Sequence, residues 1–95
     1  MTFAQQYPRP FTKKGIGELN PDDCGVYGIS RDNTWIYIGA GELRTRLLAH
    51  LDGDNDCILL QGPTHYMCEV RGLTSAESRA RELVADLSPI CVSAT

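Results

Sequence analysis

Two short segments rich in β-branched and aromatic residues, 24–30 and 34–39, are separated by only Arg31-Asp32-Asn33. Val26, Tyr27 and Ile29 in the first, and Thr34, Trp35, Ile36, Tyr37 and Ile38 in the second, favour extended backbone. A parallel crossover needs roughly a dozen residues or more, so so short a polar connection points to an antiparallel hairpin. Such a hairpin must be covered to be stable, and 95 residues leave room for one domain with a modest core.

The rest of the chain supplies the cover. After residue 42 the period changes: Leu43, Leu47 and Leu51 recur at i, i+4 and i+8 and predict a helix over 42–51, with Gly53 as its stop. Residues 54–63 read as a loop containing one helical turn at Ile58-Leu59-Leu60, and 64–71 as a third strand. Thr74 and Glu77 have capping-box spacing, and Ala76, Ala80, Leu83, Val84 and Leu87 form an apolar helical stripe that Pro89 ends. Residues 1–23, with Pro8, Pro10, Gly15, Gly17 and the turn Asn20-Pro21-Asp22-Asp23, read as an irregular lead-in with one helical turn near 16–19. The expected fold is an α+β sandwich over 24–92. It has a small three-stranded antiparallel sheet flanked by helices, in the order β-β-α-β-α.

A net charge of −3 argues against a strong nucleic-acid binder, because phosphate neutralisation calls for Lys and Arg. The charges are not evenly spread, however. Arg44 and Arg46 stand together, as do Arg79 and Arg81, while Asp52, Asp54 and Asp56 gather on one loop. Weak DNA affinity through a local basic face is the expectation, with a protein partner as the alternative. No apolar run reaches the ~18–20 residues of a membrane span, and residues 1–10 carry no apolar leader core, so a cytoplasmic protein is expected. Cys24, Cys57, Cys68 and Cys91 show no C-x-x-C spacing. Four reduced thiols, some in the core, are expected of them.

Gly25-Val26-Tyr27 and Tyr37-Ile38-Gly39 put two tyrosines ten positions apart on the hairpin. With Leu43-Arg44-Thr45-Arg46-Leu47 and His50 on the helix that follows, the set resembles the GIY-YIG nuclease family. Asp52-Gly53-Asp54-Asn55, Gly62-Pro63-Thr64-His65-Tyr66, and Leu83-Val84 with Pro89 extend the resemblance over 24–92. It implies a phosphodiesterase acting on DNA with Mg²⁺ or Mn²⁺. Tyr27, Tyr37, Arg46 and His50 would be catalytic, and Arg44 and Arg46 would lie on the DNA. It also implies a metal-binding glutamate at position 80, where this chain has Ala80. Ala40 stands where the family has a basic residue, Val92 where it often has asparagine, and the 39–43 loop is one residue short. Glu77, one turn before Ala80, is the neighbour that could substitute as metal ligand, although its capping-box role competes for it. Natural degeneration, favoured by Ala40 and Val92, and a deliberate inactivating change both explain Ala80. Two functions stay open: an endonuclease using Glu77, and a non-catalytic nucleic-acid- or protein-binding module of the same fold.

The candidate chemistry also follows from the residues alone. Arg46 and His50 are i and i+4, so they share a helix face. A phosphodiester under attack gathers negative charge on its oxygens, and one guanidinium can hold two of them. Imidazole, with an ordinary pKa near ~6.5, exchanges protons near neutral pH. If Ile36 and Ile38 face inward, strand alternation places Tyr37 on a wetter face. The plainer readings are strand tyrosines that only pack, a solvated arginine pair, a surface His50, and Ala80 and Trp35 as packing residues.

Overall fold

The hairpin forms where expected and lies inside a larger sheet. The computed structural model describes residues 3–91; Val92 lies outside them. The elements are β1 (Arg9–Pro10), α1 (Lys13–Gly17), β2 (Cys24–Arg31), β3 (Thr34–Glu42), α2 (Leu43–Leu51), α3 (Asp56–Leu60), β4 (His65–Val70) and α4 (Leu73–Leu87). No helix among the described residues is long and apolar enough to cross a membrane.

Among the described residues the sheet has four strands, not three, in the order β1-β4-β2-β3, and every pairing is antiparallel. The additional strand comes from the lead-in, where Arg9 and Pro10 pair with Tyr66 and His65. Two residues, one of them proline, carry no alternation for a sequence pattern to reveal. The lead-in also buries Phe3, Phe11, Ile16 and Leu19. Gln6 prolongs the edge pairing with its side chain: its amide nitrogen donates to the Cys68 carbonyl at 2.9 Å, and its amide oxygen accepts from the Cys68 N–H at 3.1 Å.

Both faces of the sheet are covered, which is why residues 25–30 of β2 are buried without a break. On one face Tyr27, Ile29, Tyr37 and Tyr66 pack with Leu43 and Leu47 of α2, Ile16 of α1 and Ile58 of α3. On the other, Val26 and Ile38 pack with Phe3 and with Leu83 of α4. Strand alternation is broken at Ile36. The register shifts between Ile29 and Ser30, which face Tyr37 and Trp35 respectively, so Ile36 is the unmatched residue. Ile36 therefore joins the same core as Tyr37, and Tyr37 is 8% exposed rather than on a wetter face.

The α4 terminus also departs from expectation. Its N-cap is Gly72, with no side-chain cap, and the Ala76 N–H donates to the Gly72 carbonyl at 2.8 Å. Thr74 already lies inside the first turn, so the Thr74–Glu77 capping box does not form. Arg79 is not part of a basic face. It turns under the helix, and its Nε donates to Glu69 Oε1 at 3.2 Å, both side chains being buried.

The expectation of four thiols fails for two of them. Cys57, in the first turn of α3, and Cys91, beyond α4, form a disulfide with Cα atoms 5.9 Å apart. Their separation of 34 residues matches no local cysteine motif. What brings them together is the tail after α4: the N–H groups of Ile90 and Cys91 donate to the Trp35 and Ile36 carbonyls on β3. Cys24 and Cys68 remain half-buried free thiols.

Candidate functional site

The site begins with the seating of α2. Leu43 and Leu47 are fully buried, so the helix is fixed against β2 and β3. The face one step round then carries Arg46 and His50 towards the two strand tyrosines. Tyr27, Tyr37 and His50 form a triangle of rings. The His50 centroid lies 5.6 Å from that of Tyr27 and 5.1 Å from that of Tyr37, edge-on to the latter. The two phenol rings are 6.2 Å apart.

A chain of polar contacts runs through this triangle. The Tyr27 hydroxyl is 2.7 Å from His50 Nε2, and His50 Nδ1 is 2.7 Å from Asp54 Oδ1. Burial lowers the pKa of His50; hydrogen bonding to Asp54 opposes that shift and the charge of Arg46 adds to it. The ring is therefore neutral at neutral pH. Burial, helped by Tyr37, pushes the Tyr27 phenol far above its ordinary value, so it is a neutral donor. The nearby Tyr27 hydroxyl raises the already high pKa of the Arg46 guanidinium.

Two glycines make this arrangement possible. Gly41 has φ +146°, and a Cβ there would lie 3.3 Å from Arg46 Cγ, so the arginine stem rests on bare backbone. A Cβ at Gly39 would lie 2.5 Å from the Tyr27 hydroxyl oxygen and 2.9 Å from Tyr37 Cε2. Gly39→Ala is accordingly expected to displace the Tyr27 ring and cost about 1–3 kcal/mol of stability. Urea unfolding checks it, and an unchanged midpoint would show that the phenol has room to retreat.

Beside the ring cluster an open cleft of about 530 Å³ lies between β3 and α4. Its walls include Tyr37, Gly39 and Ala40 of β3, Arg46 of α2, and Glu77, Ala80 and Arg81 of α4. The sequence-predicted residues thus divide into two layers. Tyr37 and Arg46 face the cleft, whereas Tyr27 and His50 stand behind them, 0% and 2% exposed. Arg44 is half-buried and is not part of the cleft wall. Arg81 is exposed and lines the cleft, so the Arg79/Arg81 pair is split between core and cleft.

Glu77 is free of the capping role and is the only carboxylate on the cleft wall among the described residues. Ala80 sits on the same wall. No group of three His, Cys, Asp or Glu able to hold a metal occurs among the described residues. Mg²⁺ and Mn²⁺ prefer several hard oxygen ligands. Mg²⁺ keeps several waters and takes one or two carboxylates together with substrate phosphates, so Glu77 would be the one carboxylate that this wall offers such an ion.

Asp54 is the member that pattern reading passed over, because Gly53 marked the helix end and the three loop aspartates looked like a solvated acidic cluster. The available signal was its i+4 spacing from His50. Comparison of the chain with protein-family models, with curated proteins and with solved structures finds no match.

Proposed function

We propose that this chain is a GIY-YIG-type, endonuclease-like domain whose cleft holds a DNA phosphodiester and whose hydrolytic activity is impaired. The observation that supports this reading is convergence. Tyr27 and Tyr37 from two strands and Arg46 and His50 from one helix meet around a single polar chain at the side of a cleft. Arg46 and Arg81 bring two cations to that cleft and Tyr37 brings a phenol. A guanidinium can donate to both non-bridging oxygens of a phosphodiester at once, and the phenol can donate to one of them or to a water beside it. The contacts are to backbone phosphate, so weak affinity with little sequence preference is expected from a chain of net charge −3.

The impairment follows from the wall facing Arg46. Ala80 stands where the resemblance places the metal-binding carboxylate, and the carboxylate that the wall does carry, Glu77, is about one helical turn from that position. A binding module without cleavage is therefore the form of the function that the side chains favour.

Fluorescence anisotropy with labelled duplex DNA tests the reading. Salt-sensitive binding is expected, and Arg46→Ala should weaken it and reduce the slope of log K against log salt by about 0.9. Absence of binding at low salt would remove DNA as the ligand. A supercoiled plasmid with Mg²⁺ or Mn²⁺ measures the impairment: nicking no faster than by Arg46→Ala is expected, and faster nicking would show a working nuclease.

A further inference from the structure

We infer that Asp54 is a positioning residue for the cleft arginine: it fixes the tautomer of His50 and, through Tyr27, the direction in which Arg46 must donate. The inference rests on the phosphate-binding reading of the cleft for its consequence. Its support is separate, namely the donor and acceptor order of a polar chain whose middle members, Tyr27 and His50, are buried.

The two ends of that chain are unlike. An ionised carboxylate only accepts, and a guanidinium only donates. Asp54 Oδ1 lies 2.7 Å from His50 Nδ1, so Nδ1 carries the proton. A neutral imidazole has a single N–H. Nε2, 2.7 Å from the Tyr27 hydroxyl, is then an acceptor, and Tyr27 donates to it. With its one proton committed to His50, the Tyr27 oxygen can serve the nearby Arg46 guanidinium only as an acceptor, which is the role a donor-only partner requires. The order runs one way, from Arg46 through Tyr27 and His50 to Asp54.

The other tautomer fails at both ends. It would turn the Nδ1 lone pair towards the Asp54 carboxylate and leave the Tyr27 proton competing with the guanidinium. His50 is 2% exposed and Tyr27 fully buried, so solvent has little access to repair such mismatches. Tyr37, edge-on to the imidazole, closes a further side.

Asp54 is itself held in place. Its N–H donates to the Ala49 carbonyl, and the Gly53 N–H to the His50 carbonyl, which closes the end of α2. On its other side the Asn55 side chain accepts from the Cys57 and Ile58 N–H groups and caps α3. The carboxylate stands between two helix caps, over a histidine of the first helix.

Nitrogen-15 NMR of the wild-type imidazole gives the first test. Protonated Nδ1 and unprotonated Nε2 are expected for His50, and an Nε2–H tautomer would overturn the inference without any variant. Asp54→Ala should shift His50 towards the Nε2–H tautomer and weaken binding of labelled duplex DNA several-fold, approaching Arg46→Ala. In a Tyr27→Phe background, where the link is cut, Asp54→Ala should add no further loss. An equal loss in both backgrounds would show that Asp54 acts by another route and overturn the inference. If the wild-type protein binds no DNA, the reading of the cleft fails, while the His50 tautomer and its dependence on Asp54 still decide this one.

Discussion

Glu69→Ala is expected to lower the unfolding free energy by about 3–5 kcal/mol, the usual range for breaking a buried ion pair from one side. Glu69 is a hub between the sheet and α4. Its carboxylate accepts from the Ala4 N–H at 2.7 Å, from Arg71 Nε at 3.0 Å and from Arg79 Nε at 3.2 Å. Removing it leaves the Arg79 charge under α4 without its principal counter-ion, and the N-terminal segment loses one of its ties to β4. The double variant Glu69→Leu with Arg79→Met should recover much of the loss, because it removes both charges and fills the space with apolar groups. Urea unfolding at neutral pH gives both numbers. A single-variant loss below about 1 kcal/mol would place the pair with solvated surface pairs instead.

The same group sets an acid limit. Burial acts to raise the Glu69 pKa, but hydrogen bonds from Arg79, the Ala4 N–H and Arg71 outweigh it, and the carboxyl is held below the ordinary glutamate value. A depressed carboxyl stabilises the fold fully above its unfolded pKa of about 4.3, and that stabilisation is lost as pH falls further through the folded value. Stability of the wild-type protein should therefore decline below about pH 4, and the decline should be shallower in Glu69→Ala.

Cys57→Ser is expected to cost about 4 kcal/mol, the chain-entropy value for a loop closed across the 34-residue separation of Cys57 and Cys91. Removal of native disulfides from small domains spans roughly 2–5 kcal/mol, and a chain with so modest a core has little reserve. The bond also keeps the tail after α4 beside β3, where Cys91 N–H donates to the Ile36 carbonyl at 2.7 Å. Wild-type protein in excess dithiothreitol should unfold at the same denaturant concentration as Cys57→Ser in either redox condition. Equal stability of oxidised and reduced wild-type protein would show that core packing alone holds the tail. A disulfide persists in oxidising compartments and is kept open in a reducing cytosol, so this difference also sets where the folded form is most stable.

Much of the frame was legible because its signals are local. The three-residue connection at 31–33 fixed the hairpin, the leucines at 43, 47 and 51 fixed α2, and the turn at 58–60 appears as α3. The i, i+4 relation put Arg46 and His50 on one face, and the tyrosine spacing put both phenols on the strands beneath it. Most of the misreadings share one cause, which is dependence on distant neighbours; the capping box at Thr74 and the missed Asp54 were local. The strand β1 exists only because β4 offers it an edge. The unmatched Ile36 is defined by its register with β2, and so is the burial of Tyr37. The bonding of Glu69 with Arg79 links a strand to a helix, and nothing in the spacing Arg79-x-Arg81 shows that one arginine turns inward.

The order of amino acids by itself settled what period-2 and period-3.6 patterns and short connections can settle: a β-hairpin followed by an amphipathic helix, with Tyr27, Tyr37, Arg46 and His50 on adjoining elements. Only the tertiary structure decided that Tyr27 and His50 stand behind Tyr37 and Arg46, that Asp54 closes the polar chain, and that Cys57 meets Cys91. The reason is physical. Periodicity reports which way a side chain points from its own element, whereas its burial, its hydrogen-bond partner and its charge state depend on the element packed against it.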